Sequence, residues 1–383
     1  MSSAVRNAAF DESRLDDADA LASLDPGDML RTIAASGAQV REAQAAAAEA
    51  GIERIAEGGR PRAVVVAGIG GSGISGDVLA AIAGTGCPVP VVAHRGYGLP
   101  GWVGAADMVI GVSCSGSTEE TLSAMEVAVG RGCAIAGVGG ADSPLADLVG
   151  RGRGPYVPVP PGRMPRASLW ALSVPLIVAG RALGLLKCTD EDLEAAAARL
   201  EDIADRCRPG RESFVNPGKQ LAVDLAGTLP MVWGTSPLAG TAAYRFAGQL
   251  AENAKYPAIS GVLPEANHNQ VVTLDGPFGR MVTGDLFDDP TEATALRLVV
   301  LADSDEHPRV ARRRECSVEL AAERHIPVTQ LDTEGTSAIE RFASLVGLVD
   351  FASAYLGLGY GLDPTPIHAI FELKERILRP AGS

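Results

Sequence analysis

Aromatic residues make up only 4% of this 383-residue chain, histidine occurs five times, and no two cysteines stand as CxxC. Each scarcity excludes something. His94, His268, His307, His325 and His368 form no HxH or HxxxH pair and no carboxylate cluster joins them, so a metal centre is not expected. The six cysteines, Cys87, Cys114, Cys133, Cys188, Cys207 and Cys316, are irregularly spaced; they read as reduced, mostly buried thiols of a cytosolic protein. Lysine and arginine number 33 against 47 acidic residues, a net charge of -14, which leaves no basic field for nucleic acid or an anionic membrane but leaves a local anion site open. The N-terminal MSSAVRNAAFDESRLDD is acidic and has no apolar core, so it is read as neither signal nor anchor. The longest uncharged apolar run, ASLWALSVPLIVAG at 167–180, contains Pro175 and falls short of the roughly 20 residues of a membrane span. It predicts a buried helix.

What the chain has in abundance is short apolar runs followed by Gly-rich turns. After alanine-rich helices between about Asp28 and Gly58 come PRAVVVAG, VPVVAHR, MVIGVSC, CAIAGVG and YVPVP, each of strand length. Strands alternating with helical spacing imply a parallel sheet covered on both faces. A helical stretch and a Pro/Gly-punctuated linker at 208–218 follow, and then the pattern restarts with LPMVWG, AISGVLPE, LRLVVLAD and PVTQLD. An internal duplication follows from this pattern. The expected division is 1–207 for N-terminal helices plus a first domain, and 208–383 for a second domain plus a last helix begun near Pro364.

Two turns carry chemistry. GIGGSG at 68–73 lies between a strand and a helix, where a dinucleotide fold would have its glycines, but the next strand ends in His94 and Arg95 rather than an acid. Arg95 leaves an NADP-binding oxidoreductase as an alternative; a tight turn needed only for packing is another. The second turn, SCSGSTEET at 113–121, places Ser113, Ser115, Ser117 and Thr118 where a strand gives way to a helix. A helix N-terminus presents free amides, and hydroxyls add donors without charge, which suits a phosphate monoester. Ser117 and Glu120 also have capping-box spacing, but a cap needs one hydroxyl and this turn has four.

The order of GIGGSGISGD, SCSGSTEETL, PPGRMPRAS, AENAKYPA, PEANHNQ and ELKERI along the chain resembles the sugar isomerase (SIS) domain proteins, and among them the bifunctional phosphoglucose/phosphomannose isomerases. The resemblance covers nearly the whole chain. It implies two SIS-type α/β domains, each a parallel sheet sandwiched by helices, with helical N- and C-terminal additions. It implies a hexose 6-phosphate substrate, no cofactor, a cytoplasmic homodimer with shared sites, and a histidine supplied across the dimer. By resemblance Ser72, Ser113, Ser115 and Thr118 hold the phosphate and Gly71 lets the backbone approach it.

Aldose–ketose isomerisation requires ring opening, a carboxylate that moves a proton between C1 and C2, and a cation for the enediolate. The resemblance assigns Glu252 as the base, His268 to ring opening, Lys374 to the ring oxygen and Arg166 to the enediolate. Taken singly, these are also an ordinary helix glutamate, a loop histidine, a surface lysine and a loop arginine whose neighbour Arg163 could take the same part. Gln270 stands where the family commonly has an acid, and Cys114 where a larger residue is frequent. These departures keep a non-catalytic sugar-phosphate sensor as a competing reading. RVARRREC at 309–316 is expected to be a solvated helix face, and DLFDDPTEAT at 285–294 an acidic loop without calcium-ligand spacing.

Overall fold

The computed structural model describes residues 9–279 and 295–378, so the acidic loop at 285–294 lies outside the described residues. Three helices, α1 (Ala18–Leu24), α2 (Met29–Ala34) and α3 (Ser36–Glu49), lead into the first sheet. That sheet is laid down as β1 (Val64–Ala67), α4 (Gly70–Ala83), β2 (Val91–His94), β3 (Met108–Ser113), α5 (Glu119–Gly130), β4 (Ala134–Gly140), α6 (Pro144–Arg151) and β5 (Tyr156–Val159). Helices α7 (Leu169–Ala182), α8 (Asp190–Arg206) and α9 (Pro217–Leu225) connect it to the second. The second runs β6 (Thr228–Gly234), α10 (Pro237–Gln249), β7 (Ile259–Val262), β8 (Ala295–Ala302), α11 (Pro308–Glu323), β9 (Val328–Asp332) and α12 (Ala338–Gly359), and α13 (His368–Leu378) follows.

Both sheets are parallel, with strand orders β2-β1-β3-β4-β5 and β7-β6-β8-β9. The expected architecture is therefore present: two parallel sheets flanked by helices, with helical additions at both ends. Its central strands are apolar runs because they are covered on both faces; all four residues of β1 and all six of β3 are buried. In each sheet the connections leave in opposite directions from two neighbouring strands, β1 and β3 in the first, β6 and β8 in the second. Loops diverge there and open a crevice at the carboxyl ends of the strands, where open α/β sheets take their ligands.

One apolar core runs from α3 and α7 through α8 to α12 and onto both sheets. Helix α12 has the length and mean hydropathy (22 residues, 1.5) of a membrane span, but 94% of its apolar window is buried, as befits a core helix. Helix α7 is the buried helix that the sequence predicts, with Pro175 inside it. Cys133, Cys188 and Cys207 are buried, Cys87 and Cys114 half-buried, and Cys316 exposed on α11; all six are free.

One detail departs from the sequence reading. The last helix starts at His368 rather than near Pro364, because the backbone carbonyls of Pro364 and Thr365 are held by Arg166. The segment at 208–218 is moreover held in place: fully buried Lys219 extends its Nζ to Pro209 O (2.9 Å), Arg211 O (2.6 Å) and Asp16 Oδ1 (3.2 Å), fastening the segment to the 3-10 turn at Glu12–Asp16. The basic run on α11 is offset as expected, with Arg314 paired to Glu306 and Arg312 to Glu315.

Candidate active site

The β1/β3 switch point gathers the serine-rich turns. Ser72, in the first turn of α4, accepts the Cys114 amide on its Oγ at 3.1 Å, which ties the loop after β1 to the loop after β3. Ser113 Oγ lies 2.8 Å from Thr118 Oγ1 and 3.4 Å from Ser115 Oγ. Ser72 and Ser113 are buried, Thr118 is half-buried and Ser115 is exposed, so the oxygens of Ser113, Ser115 and Thr118 form one cluster open at one side, with Ser72 tied to its loop through the Cys114 amide. The capping alternative fails in detail. Thr118, not Ser117, occupies the cap position of α5, it makes no side-chain cap hydrogen bond, and Ser117 Oγ instead donates to Ser115. Helix α4 is also uncapped by any side chain. Two helix N-termini without side-chain caps, those of α4 and α5, thus lie beside the hydroxyl cluster.

Gly71 has a packing reason beside the one the resemblance implies. A Cβ there would stand 2.8 Å from the Pro165 carbonyl carbon and 3.0 Å from the Arg166 amide nitrogen. Glycine is required because the Pro165–Arg166 backbone crosses directly over the start of α4. Gly68 and Gly73 are likewise consumed by packing, against Val112 O and Gly68 O, whereas Gly70 meets nothing within 4 Å and is a glycine for its positive φ of 58°. Arg95, the residue that kept the dinucleotide reading open, is paired to Asp77 and lies 5.4 Å from the Tyr244 ring centroid. Its charge is already engaged, and the dinucleotide reading loses its anchor.

Beside this switch point a cavity of about 420 Å³ opens between the two sheets, lined by Gly70 and Gly71 on one side and by Arg166, Arg245, Gln249 and Glu252 on the other. Arg166, only 3% exposed, donates from Nε to Asn253 Oδ1 (2.9 Å) and from Nη2 to Pro364 O (2.9 Å) and Thr365 O (2.6 Å). Its Nη1 stands 3.7 Å from Glu252 Oε2. Arg163 does not compete for this place; it pairs with Glu42 outside the cavity.

Glu252 sits where α10 widens into a single π turn, Leu250–Ala254, closed by Lys255 in the left-handed region (φ 56°). Such turns are uncommon and concentrate at functional sites. The turn sends Asn253 inward, where its Nδ2 donates to Ser353 Oγ at 2.9 Å, and leaves Glu252 half-buried facing Arg166. Burial pushes the Glu252 carboxyl above the ordinary glutamate range, while Arg166, Arg245 and Lys255 pull it back. A carboxylate made more basic by a dry pocket and faced by a guanidinium can move a proton next to a developing oxyanion.

His268 and Lys374 are not brought to this cavity within one chain. His268 is exposed at the end of the 3-10 turn Glu265–His268, and Lys374 is exposed on α13, neither with a hydrogen-bond partner among the described residues. Gln270, which departs from the family pattern, turns away from the imidazole: its Oε1 accepts Trp233 Nε1 (2.7 Å) and its Nε2 donates to Ser260 O (3.0 Å), joining β7 to β6. Cys114 donates weakly to Arg163 O, and burial pushes its thiol up, so it is no thiolate.

The second switch point is already filled. Asp303, 3% exposed at the end of β8, takes Ser236 Oγ at 2.6 Å and Arg341 Nε at 2.9 Å, and its amide donates to Thr235 Oγ1 at 2.9 Å. The protein's own carboxylate lies where the first half keeps its hydroxyl cluster.

A family model for the bacterial phospho-glucose isomerase C-terminal SIS domain matches residues 214–377. A bifunctional phosphoglucose/phosphomannose isomerase from Caldicellulosiruptor bescii is 34% identical over 316 residues, 82% of this chain and 89% of that protein. The chain belongs to the SIS-domain sugar isomerase family. A second relative with the same description, from Aquifex aeolicus, is 30% identical and is covered over 92% of its length. A solved structure of a hypothetical protein from Thermus thermophilus superposes with a TM-score of 0.69 at 16% identity, covering 96% of each chain, and so shares the double SIS fold. Membership of this family supports an isomerase-type activity on phosphosugars.

Residues outside the sequence reading also belong to the site. Arg245, Asn253, Asp350 and Lys255 surround Glu252 and Arg166, and of these four only Arg245 lines the cavity. The signal of Arg245 and Asp350 was a single charge inside an apolar stretch: arginine in TAAYRFAGQL, aspartate in LVGLVDFASAYLG.

Proposed function

We propose that this protein interconverts glucose 6-phosphate and fructose 6-phosphate, with mannose 6-phosphate as a second aldose, by proton transfer through a cis-enediol. The observation that carries this reading is Glu252, made more basic by burial and faced by Arg166, in a cavity whose far wall, Gly70 and Gly71, begins the switch point of the first sheet. The substrate phosphate sits among the oxygens of Ser72, Ser113, Ser115 and Thr118 and the free amides of α4 and α5. The sugar carbons then lie toward Glu252, which removes a proton from C2 of the aldose and returns it to C1. Arg166 faces the oxygens on which negative charge develops. His268 of the partner subunit assists ring opening, because within its own chain the ring does not line the cavity. Lys374 acts at the ring oxygen, carried there on α13. The scheme asks for no metal and no nicotinamide.

A coupled assay with fructose 6-phosphate tests the reading. The wild-type protein is expected to turn over, and Glu252→Gln to bind the sugar phosphate with turnover lost. Binding of fructose 6-phosphate by the wild type without turnover would instead leave a sensor on the same fold.

A further inference from the structure

Beneath Glu252 and Arg166 lies an ionic floor that the proposed chemistry does not use. Arg245, on α10 and only 5% exposed, donates from Nε to Asp350 Oδ1 (2.9 Å) and from Nη2 to Asp350 Oδ2 (2.6 Å), a two-point pairing. The same Nη2 donates to the Arg166 backbone carbonyl at 2.9 Å. Asp350 lies on the buried core helix α12 and also accepts Gln249 Nε2 at 3.2 Å. One turn further along α12, Ser353 Oγ donates to the Asp350 carbonyl and accepts Asn253, whose Oδ1 holds Arg166 Nε. Both ends of Arg166 are therefore referred to the same turn of α12, the backbone through Arg245 and the guanidinium through Asn253.

We infer that Arg245, fixed by Asp350, is a positioning residue of this site: it locks the Pro165–Arg166 segment over the start of α4 and sets its own charge against the Glu252 carboxylate. A buried ion pair is a weak way to stabilise a fold, since an apolar pair of similar volume does as well or better. What an apolar pair cannot supply is a fixed cation lining the cavity and a donor to one backbone carbonyl. Arginine rather than lysine suits the role, because the planar fork serves Asp350 and the Arg166 carbonyl together. The groups facing Glu252 are Arg166 from the segment before α7, Arg245 from α10 and Lys255 from its own turn, and, across a second cavity that Glu252 also lines, Asp363 from the segment after α12 and His368 at the start of α13. Arg245 is thus one of three cations acting on it, behind Arg166 in weight.

This inference rests on the isomerase reading, so its test has one arm that needs no turnover. Glutamate labelled at the side-chain carboxyl carbon, with Glu252→Gln to assign the signal, reports the ionisation of Glu252 by NMR in the wild type, Arg245→Met, Arg245→Lys and Asp350→Asn. Loss of the Arg245 charge is expected to move the Glu252 titration up in pH. Loss of Asp350 leaves the guanidinium charged and less compensated, and is expected to move it down. Arg245→Lys is expected to restore the position of the titration while leaving kcat reduced. In the coupled assay Arg245→Met is expected to lose about tenfold to a hundredfold in kcat, with a smaller change in KM and the acid limb shifted with the NMR titration. If single variants fail to fold, Arg245→Leu combined with Asp350→Leu removes both charges and leaves the Glu252 titration to be read in a folded chain, again moved up. An unmoved titration in all folded variants overturns the inference. A wild type without turnover overturns the isomerase reading while the titration still decides the role of Arg245.

Discussion

The Arg166 guanidinium stands 3.7 Å from the Glu252 carboxylate, although 86 residues of chain separate them and each belongs to a segment ordered by a different sheet. The distance exceeds a direct hydrogen bond, so each group keeps capacity for a substrate oxygen placed between them. Arg166 spends its other donors on Asn253 and on two backbone carbonyls, leaving Nη1 as the end that faces the cavity. Replacing it by lysine removes that fork. Arg166→Lys is expected to lower kcat by about 10²–10³, the usual cost of losing one donor to a developing oxyanion. Fructose 6-phosphate affinity, measured by thermal shift, should change far less.

The pH dependence follows from Glu252. Burial raises its pKa, and the base works only when ionised. As pH falls through that raised value the carboxylate takes up a proton and the rate falls with it. The acid limb of kcat/KM is therefore expected above the ordinary glutamate value of about 4.3. Initial rates across the acid range in buffers of constant ionic strength check this, and a limb at or below that value would count against Glu252.

The phosphate cluster makes a separate prediction. Ser113 and Ser115 are neutral, so their removal changes hydrogen bonding and not the field. A hydrogen bond to a charged group contributes about 1.5–3 kcal/mol. Ser115→Ala is expected to raise KM for fructose 6-phosphate at least about tenfold and to weaken competition by inorganic phosphate in step. Competition constants for inorganic phosphate in the two proteins measure it.

How far the site was legible in the sequence depended on what kind of information each residue carries. Strands of the VVVA type announced themselves because burial on both faces demands an unbroken apolar run, and Gly-rich turns punctuated them. The serine-rich turn after β3 was legible because four hydroxyls at one strand-to-helix junction exceed what a cap uses. Arg245 and Asp350 were not, because a contact across 105 residues leaves no local spacing, only one misplaced charge in each of two apolar helices. The π turn at Leu250–Ala254 was equally hidden, since one extra residue in a helix has no composition of its own. The start of the last helix was misread because Pro364 looked like a first-turn proline, whereas its carbonyl serves Arg166.

Gly71 separates a packing requirement from a chemical one. A methyl group there would press on the backbone of Pro165 and Arg166 rather than on any flexible side chain. Gly71→Ala is expected to displace the Arg166 segment and lower kcat, while the unfolding free energy from urea titration falls by no more than the roughly 1–3 kcal/mol that overpacking costs. A variant with wild-type kcat would show that the segment tolerates movement.

Asp303 provides the contrasting case, a buried charge at the switch point that carries no part of the proposed reaction. Its carboxylate satisfies Ser236 and Arg341, so removing it takes away the buried partner of the Arg341 guanidinium and leaves it only exposed Asp305 and the Thr336 carbonyl. Breaking such a pair from one side costs roughly 3–5 kcal/mol, more than most single substitutions. Asp303→Ala is therefore expected to lower the urea midpoint markedly. Asp303→Asn, which keeps an acceptor for Arg341 and a partner for Ser236, should lower it less. In both, the turnover per folded molecule should stay near wild type, because the second switch point holds no substrate group in the proposed scheme. A large fall in kcat at unchanged stability would place the second sheet's crevice in the reaction and break the asymmetry between the two halves.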